Sequence, residues 1–301
     1  MMIGTWSPLV GGALLLLSLI PHGSAARRRS RKCGGRWMGV QLESAILSTA
    51  RASMLRDELH TYLTGLLEAP KFRDYCPNGL QVEGRADVHR VVTGVTASLE
   101  LLEAAVAHRA DAILVHHGWF WRSDDARITG YRRRRIALLM QENVNLYAFH
   151  LPLDGHPELG NNAALARHMG WTIDGRFGEQ DLGFTGAPSV PLTLAELAAQ
   201  LETRLDRKPL IIGDPARRVS RLAWCSGGAQ GYFEAAAATG AQVFVSGEVS
   251  EQTWHLARET DTAYIAAGHH ATERYGVQAV GQHLSEKFGI EHLFLDIHNP
   301  I

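Results

Sequence analysis

The stretch Arg90–Gly118, RVVTGVTASLELLEAAVAHRADAILVHHG, decides how the chain folds. It opens on a β-branched apolar run, "RVVTGVTA", that suits a strand. Ser98 stands where a helix cap belongs, and Leu99, Leu102 and Val106 share one face of "LELLEAAVAHR". "AILV", Ala112 to Val115, is short and apolar throughout, as a parallel strand covered on both faces requires. The unit is strand, helix, strand, and it stops at two adjacent histidines, His116 and His117, and a glycine.

The unit recurs. Arg90–Gly118 lies without a gap over Arg221–Val249, RLAWCSGGAQGYFEAAAATGAQVFVSGEV. Arg90 meets Arg221, Glu103 meets Glu234, and His116 and His117 fall on Gly247 and Glu248. A helical segment and a further strand follow in each copy, in "NLYAFHLPLDGH" and "TAYIAAGHHATE". Each of these strands ends at a histidine followed four positions later by a carboxylate: His150 with Asp154, and His269 with Glu273. The shared order points to an internal duplication.

Elsewhere "LRDELHTYLTGLLE" and "RIALLMQEN" have helical spacing, and Thr193 with Glu196 forms a capping box for "LAELAAQLETRL". Strand–helix alternation makes the class α/β. The expected division is a first α/β half over 54–170, a linker with one helix over 171–218, and a second α/β half over 219–301. Residues 1–53 stand outside the fold. Their apolar "LVGGALLLLSLIPHGSAA" and basic 27–36 segment resemble a targeting sequence, and the preferred reading is an over-extended start with Met54 opening the chain. The expected location is the cytoplasm, and no other run approaches the ~20 apolar residues of a membrane span.

Composition excludes several classes. Thirty basic against 31 acidic residues leave no excess for coating nucleic acid or membranes. Three scattered cysteines without a CxxC make neither a disulfide framework nor a thiolate zinc site. Histidine, at 15 residues, is the oddity.

In α/β sheets ligands gather beyond the carboxyl ends of the strands. His116, His117, Asp154, His269 and Glu273 all sit there, beside Gly118, Gly155 and Gly268, which let the backbone approach a ligand. Imidazoles and carboxylates without a thiolate suit zinc, iron, manganese, nickel or cobalt and do not choose among them. A single catalytic ion usually takes three protein ligands. Five donors therefore suit two divalent metal ions per chain, bridged by Glu273 or Asp154 at the ~3.5–4 Å typical of such pairs. His150, His156, His270 and Glu248 are candidates for orienting ligands or touching substrate. No HExxH is present. The "GGAQG" run, Gly227 to Gly231, reads as a tight strand-to-helix turn, and the arginine run Arg132–Arg135 as a solvated face. Arg133 and Arg134 are the alternative hold for an acidic or phosphorylated substrate.

The segments "DYCPNGLQVEG", "VTGVTAS", "ADAILVHHGWFW", "FHLPLDGHPELGNN", "SGEVSEQ" and "AAGHHATERYG" together resemble the GTP cyclohydrolase I type 2 homologue family, also described as NGG-one-interacting-factor-three-like dinuclear metal proteins. The resemblance runs from Leu55 to Ile301, and to the short form without an extra domain between the halves. It implies two interleaved α/β domains related by an approximate two-fold. It also implies a ring-shaped homohexamer and metal ligands at His116, His117, Asp154, His269 and Glu273. A metal-dependent hydrolase acting on a small nucleotide-like or phosphorylated substrate is the implied function. A metal-binding regulatory or storage assembly is the alternative.

Overall fold

The computed structural model describes residues 52–301, so the targeting and start-site expectations for the earlier segment lie outside the described residues. Strands β1 (Arg90–Thr96), β2 (Ala112–His117) and β3 (Asn145–Ala148) run parallel in one five-stranded sheet. Glu291–Phe294 adds a parallel strand beside β1, and Gly79–Val82 closes the other edge antiparallel to β3. A six-stranded sheet is centred on β4 (Leu222–Cys225), β5 (Val243–Ser246) and β6 (Ala263–Ala266), again parallel. Leu210–Ile212 flanks β6, and the hairpin Trp171–Phe177 with Gly183–Pro188 flanks β4.

The first strand pair of each parallel triplet has the same register. Val91 pairs with Ala112 in the first sheet and Leu222 with Val243 in the second, the positions that superpose when Arg90 is laid over Arg221. Burial explains the composition of these strands. Val91, Val92, Ile113 and Leu114 in one sheet, and Trp224, Val243 and Phe244 in the other, are shut off from solvent on both sheet faces. Ser98 caps its helix by accepting from Leu101 N at 3.2 Å, and the Thr193–Glu196 capping box is formed.

The halves interleave. Glu291–Phe294, from the end of the second half, pairs with β1 of the first. Helices α1 (Leu151–Gly155), α2 (Asn161–Met169) and α3 (His269–Phe288) carry the connection. Val277, Val280 and Leu284 of α3 pack with Leu59, Leu63, Val91 and Leu114 of the first half, while its first turn directly follows β6. A Cβ at Gly276 would lie 2.3 Å from Asn161 Oδ1, so only glycine lets α3 close onto α2. Residues 171–218 are more than the expected linker with a helix: they supply the hairpin and the edge strand of the second sheet. A register shift between Ile173 and Gly175 breaks the alternation that would have announced the first of these strands.

Candidate metal centre

Parallel strands deliver their carboxyl ends to one side of a sheet. His116 and His117 are the last residues of β2, and their rings lie 4.4 Å apart between centroids. β3 runs through Phe149 and His150 into the single turn of α1, which carries Asp154. Asn161 Nδ2 donates to Asp154 Oδ1 at 2.8 Å and Ser226 Oγ at 3.3 Å, fixing the carboxylate. His269 and Glu273 lie one turn apart on α3, so both face the same way, with Nε2 and Oε2 separated by 3.1 Å.

These side chains form two clusters that share one residue. His116, Asp154 and Glu273 make the first, and His117, His269 and Glu273 the second. Glu273 Oε1 stands 3.4 Å from His116 Nε2, which is itself 3.5 Å from Asp154 Oδ1. Glu273 Oε2 stands 3.2 Å from His117 Nε2 and 3.1 Å from His269 Nε2. Each oxygen of one buried carboxylate therefore belongs to its own set.

The far nitrogen of each ring is engaged. His116 Nδ1 donates to the Phe149 carbonyl at 3.1 Å, and His269 Nδ1 donates to Glu248 Oε1 at 2.7 Å. His117 Nδ1 meets Thr96 Oγ1 at 3.1 Å. Such partners orient imidazoles so that Nε2 offers its lone pair inward, as metal-ligating histidines do. His116 Nε2 and Glu273 Oε2 are buried without a hydrogen-bond partner. Buried polar atoms are rarely left so, and two of them inside a ring of donors fit a cation. Electrostatics agree. Burial opposes charge on His116, but Asp154 and Glu273 outweigh it and lift the imidazole to about 9. His269, also opposed by burial, is lifted to about 9 by Glu273 and Glu248. Burial drives His117 well below its usual range and raises Asp154, whereas His116 and His117 hold Glu273 low despite its burial. Imidazole, carboxylate and no thiolate is a donor set for first-row divalent ions, and the residues fit such a group.

A cavity of about 390 Å³ opens onto Asp154, His269 and Glu273, within the range of small-molecule sites. His150 lines it, its Nδ1 donating to Asp74 Oδ1 at 2.8 Å. Asp74 also accepts from Asn78 Nδ2 and Leu151 N at 2.9 Å each. Although burial opposes it, these bonds hold the carboxyl down at about 2.

Glu248 is brought to the site as the partner of His269, and His150 as part of the cavity wall. His270 turns to Asp296, 2.8 Å away, and His156 accepts the Glu158 and Leu159 amides in a turn. Arg133 and Arg134 are exposed on the helix Gly130–Glu142, outside the residues lining this cavity. Gly118, Gly155 and Gly268 make room for protein: a Cβ there would meet Gln81, Phe72 and Arg207. The glycine that serves the site is Gly227, in the turn after β4. A Cβ on it would lie 1.9 Å from Glu273 Oε1. Asp74, Tyr75 and Tyr232 are functional candidates that sequence reasoning did not single out, because their neighbours are remote along the chain.

Fold and donors define a class: an interleaved α/β protein whose strand ends converge two His/carboxylate clusters that can bind metal. The chain belongs to the Duf34/NIF3 (NGG1p interacting factor 3) family, whose sequence profile matches residues 54–300. A Neisseria meningitidis serogroup A relative described as "GTP cyclohydrolase 1 type 2 homolog" is 49% identical over 247 residues, 82% of this chain and 99% of the relative. A Yersinia pestis relative of the same description is 52% identical over 244 residues, 81% and 98% of the two chains. The solved structure of "protein ybgI, unknown function" superposes with a TM-score of 0.80 at 47% identity, covering 82% of this chain and all of that one (100%). A Thermus thermophilus structure gives 0.75 at 35% identity with the same coverage. No helix among the described residues is long and apolar enough to cross a membrane.

Proposed function

We propose that this chain is a metal-dependent hydrolase whose two divalent ions are held by His116, His117, Asp154, His269 and Glu273. The observation that carries this reading is the division of Glu273: Oε1 serves the His116–Asp154 set and Oε2 the His117–His269 set. Bound there, a pair of ions would lower the pKa of a shared water towards ~7 and so provide a nucleophile at neutral pH. The protein's own groups do the rest. Glu248 and the Phe149 carbonyl hold their rings in the ligating tautomer. Asp74 holds His150 Nδ1–H, which leaves Nε2 as the atom that ring offers for a hydrogen bond. Leu151 and Leu182 keep part of the cavity wall apolar, where electrostatic contacts are strongest. A nucleotide-like or phosphorylated substrate fits this chemistry, and the description carried by the relatives points the same way.

The hydrolase reading is preferred to a storage or regulatory one because the donors open onto a cavity of substrate size. We keep the cytoplasm as the expected site of action, and the ring-shaped homohexamer as the assembly that the resemblance implies. A second copy has a surface to meet: Leu210 and Ile211 on an edge strand and Trp254 beside them are exposed apolar side chains. The test is to load the protein with zinc or manganese and assay a panel of nucleotides and phosphate esters. Turnover that vanishes in Glu273→Gln is the expected result. Full loading without turnover of any member overturns the reading in favour of storage or regulation.

A further inference from the structure

Beyond the edge strand Glu291–Phe294, residues 295–301 leave the first sheet and reach the first turn of α3, the turn that begins with His269. Leu295 N still donates to the Thr93 carbonyl of β1 at 2.9 Å, and Ile297 packs against the apolar cluster that holds Ala97 and Leu101. The segment is then tied to α3. Asp296 Oδ1 accepts from His270 Nε2 at 2.8 Å, and its Oδ2 accepts from Arg274 Nη1 at 2.9 Å. His270 N donates to the main-chain oxygen of Ile301 at 3.1 Å. Arg207 donates to the Pro300 carbonyl through Nε at 3.1 Å and Nη2 at 2.9 Å.

These ties fall where the helix needs them. α3 starts at Gly268 with no side chain capping it, so its first amides take acceptors from elsewhere, and Ile301 supplies one. A cation is disfavoured at a helix N-terminus. Arg207 nevertheless packs there: a Cβ on Gly268, whose φ is +105°, would lie 2.5 Å from Arg207 Cδ. Its placement answers to the Pro300 carbonyl rather than to the helix dipole. Thr96, whose hydroxyl meets His117 Nδ1, lines a hollow of about 210 Å³ together with His270, Ile297 and His298. Residues 295–301 thus border the supports of both imidazoles of one set, His117 and His269. The next turns of α3 are fixed independently. Thr272 Oγ1 accepts from Gly227 N at 3.0 Å and Gly276 N donates to Asn161 Oδ1 at 3.0 Å, so Glu273 stands between two anchors of its own.

We propose that residues 295–301, clamped by Arg207 and Asp296, are a positioning strap that sets His269 for the ion of the His117–His269 set, and that the ion of the His116–Asp154 set does not depend on it. This rests on the two-ion reading above and deepens it by making the two ions unequal. Metal–ligand distances tolerate about 0.2 Å, and loss of a group that orients a ligating imidazole weakens binding about 10–100-fold.

Zinc titration of the full chain against a chelator, resolved into its two steps, tests the strap. Asp296 and Pro300 are exposed, so Arg207→Met with Asp296→Ala should keep the fold in urea melts. One step should weaken about tenfold or more, the same step that His117→Ala abolishes, while the other stays within about twofold of wild type. Arg207→Lys on the Asp296→Ala background keeps a donor for the Pro300 carbonyl and should recover most of the loss. Should the double variant unfold, Arg207→Met alone carries the same comparison. Equal weakening of both steps, no weakening in a folded variant, or no recovery with lysine overturns the strap and leaves the two-ion reading intact. Uptake of fewer than two ions by the wild-type chain overturns both.

Discussion

Gly227→Ala is the most informative single change, because one methyl group tests whether the turn after β4 exists to admit Glu273. Gly227 has φ +67°, a left-handed conformation that costs an L-residue about 1–2 kcal/mol. The added Cβ would also stand 1.9 Å from Glu273 Oε1 and 3.1 Å from His269 Nε2, against ordinary contacts of 3.4–4 Å. The loop is pinned by Gly227 N donating to Thr272 Oγ1 at 3.0 Å and by Gly247 N donating to the Gly227 carbonyl at 2.8 Å. The carboxylate must therefore withdraw by more than about 1 Å, whereas metal–ligand distances tolerate about 0.2 Å. The variant is expected to fold with a loss of about 1–2 kcal/mol in denaturant melts and to retain fewer than one ion per chain after dialysis. Gly231→Ala is the control: it lines the same cavity with nothing within 4 Å of its Cβ, and both ions should stay. Elemental analysis reads the outcome. Wild-type metal affinity in Gly227→Ala would refute the bridging role of Glu273.

Other expectations follow from the same contacts. Glu248→Gln removes the anionic acceptor of His269 Nδ1 and should weaken metal binding about 10–100-fold in a chelator competition, with the fold kept. Asp74 is held at about 2 against an ordinary 3.8, so its contribution is complete above pH 3.8 and is lost as pH falls through 2. Urea melts of Asp74→Asn should accordingly show a deficit of about 2 kcal/mol at pH 6 that vanishes near pH 2. Trp254→Glu places a charge in the exposed apolar patch beside Leu210 and Ile211, and sedimentation should show a smaller assembly than wild type with metal content unchanged.

Much of the fold was legible because buried parallel strands leave unmistakable apolar runs. "AILV" and "VFVS" could be laid over one another, and their registers with Val91 and Leu222 correspond in the structure. The convergence of the His116, His117, Asp154, His269 and Glu273 side chains was legible for a related reason. Strand ends are where a buried run must stop, so a polar pair such as His116–His117 stands out there. What the sequence hid depends on contacts between distant segments. Asp74 reaches His150 across 76 residues, and Gly227 matters because of Glu273, on another element altogether. The hairpin Trp171–Phe177 with Gly183–Pro188 was missed because a bulge and three glycines, Gly175, Gly183 and Gly186, erase its period-two pattern. Gly118 misled in the opposite sense: its smallness answers to Gln81 and Ala148 rather than to a ligand.

The account stands or falls on where cations sit. Crystals of the metal-loaded protein, measured at the absorption edge of the bound metal, should give two anomalous peaks about 3.5–4 Å apart. One should be ringed by His116, Asp154 and one Glu273 oxygen, the other by His117, His269 and the second oxygen. A single peak, or a pair with Glu273 bound to only one ion, would contradict it.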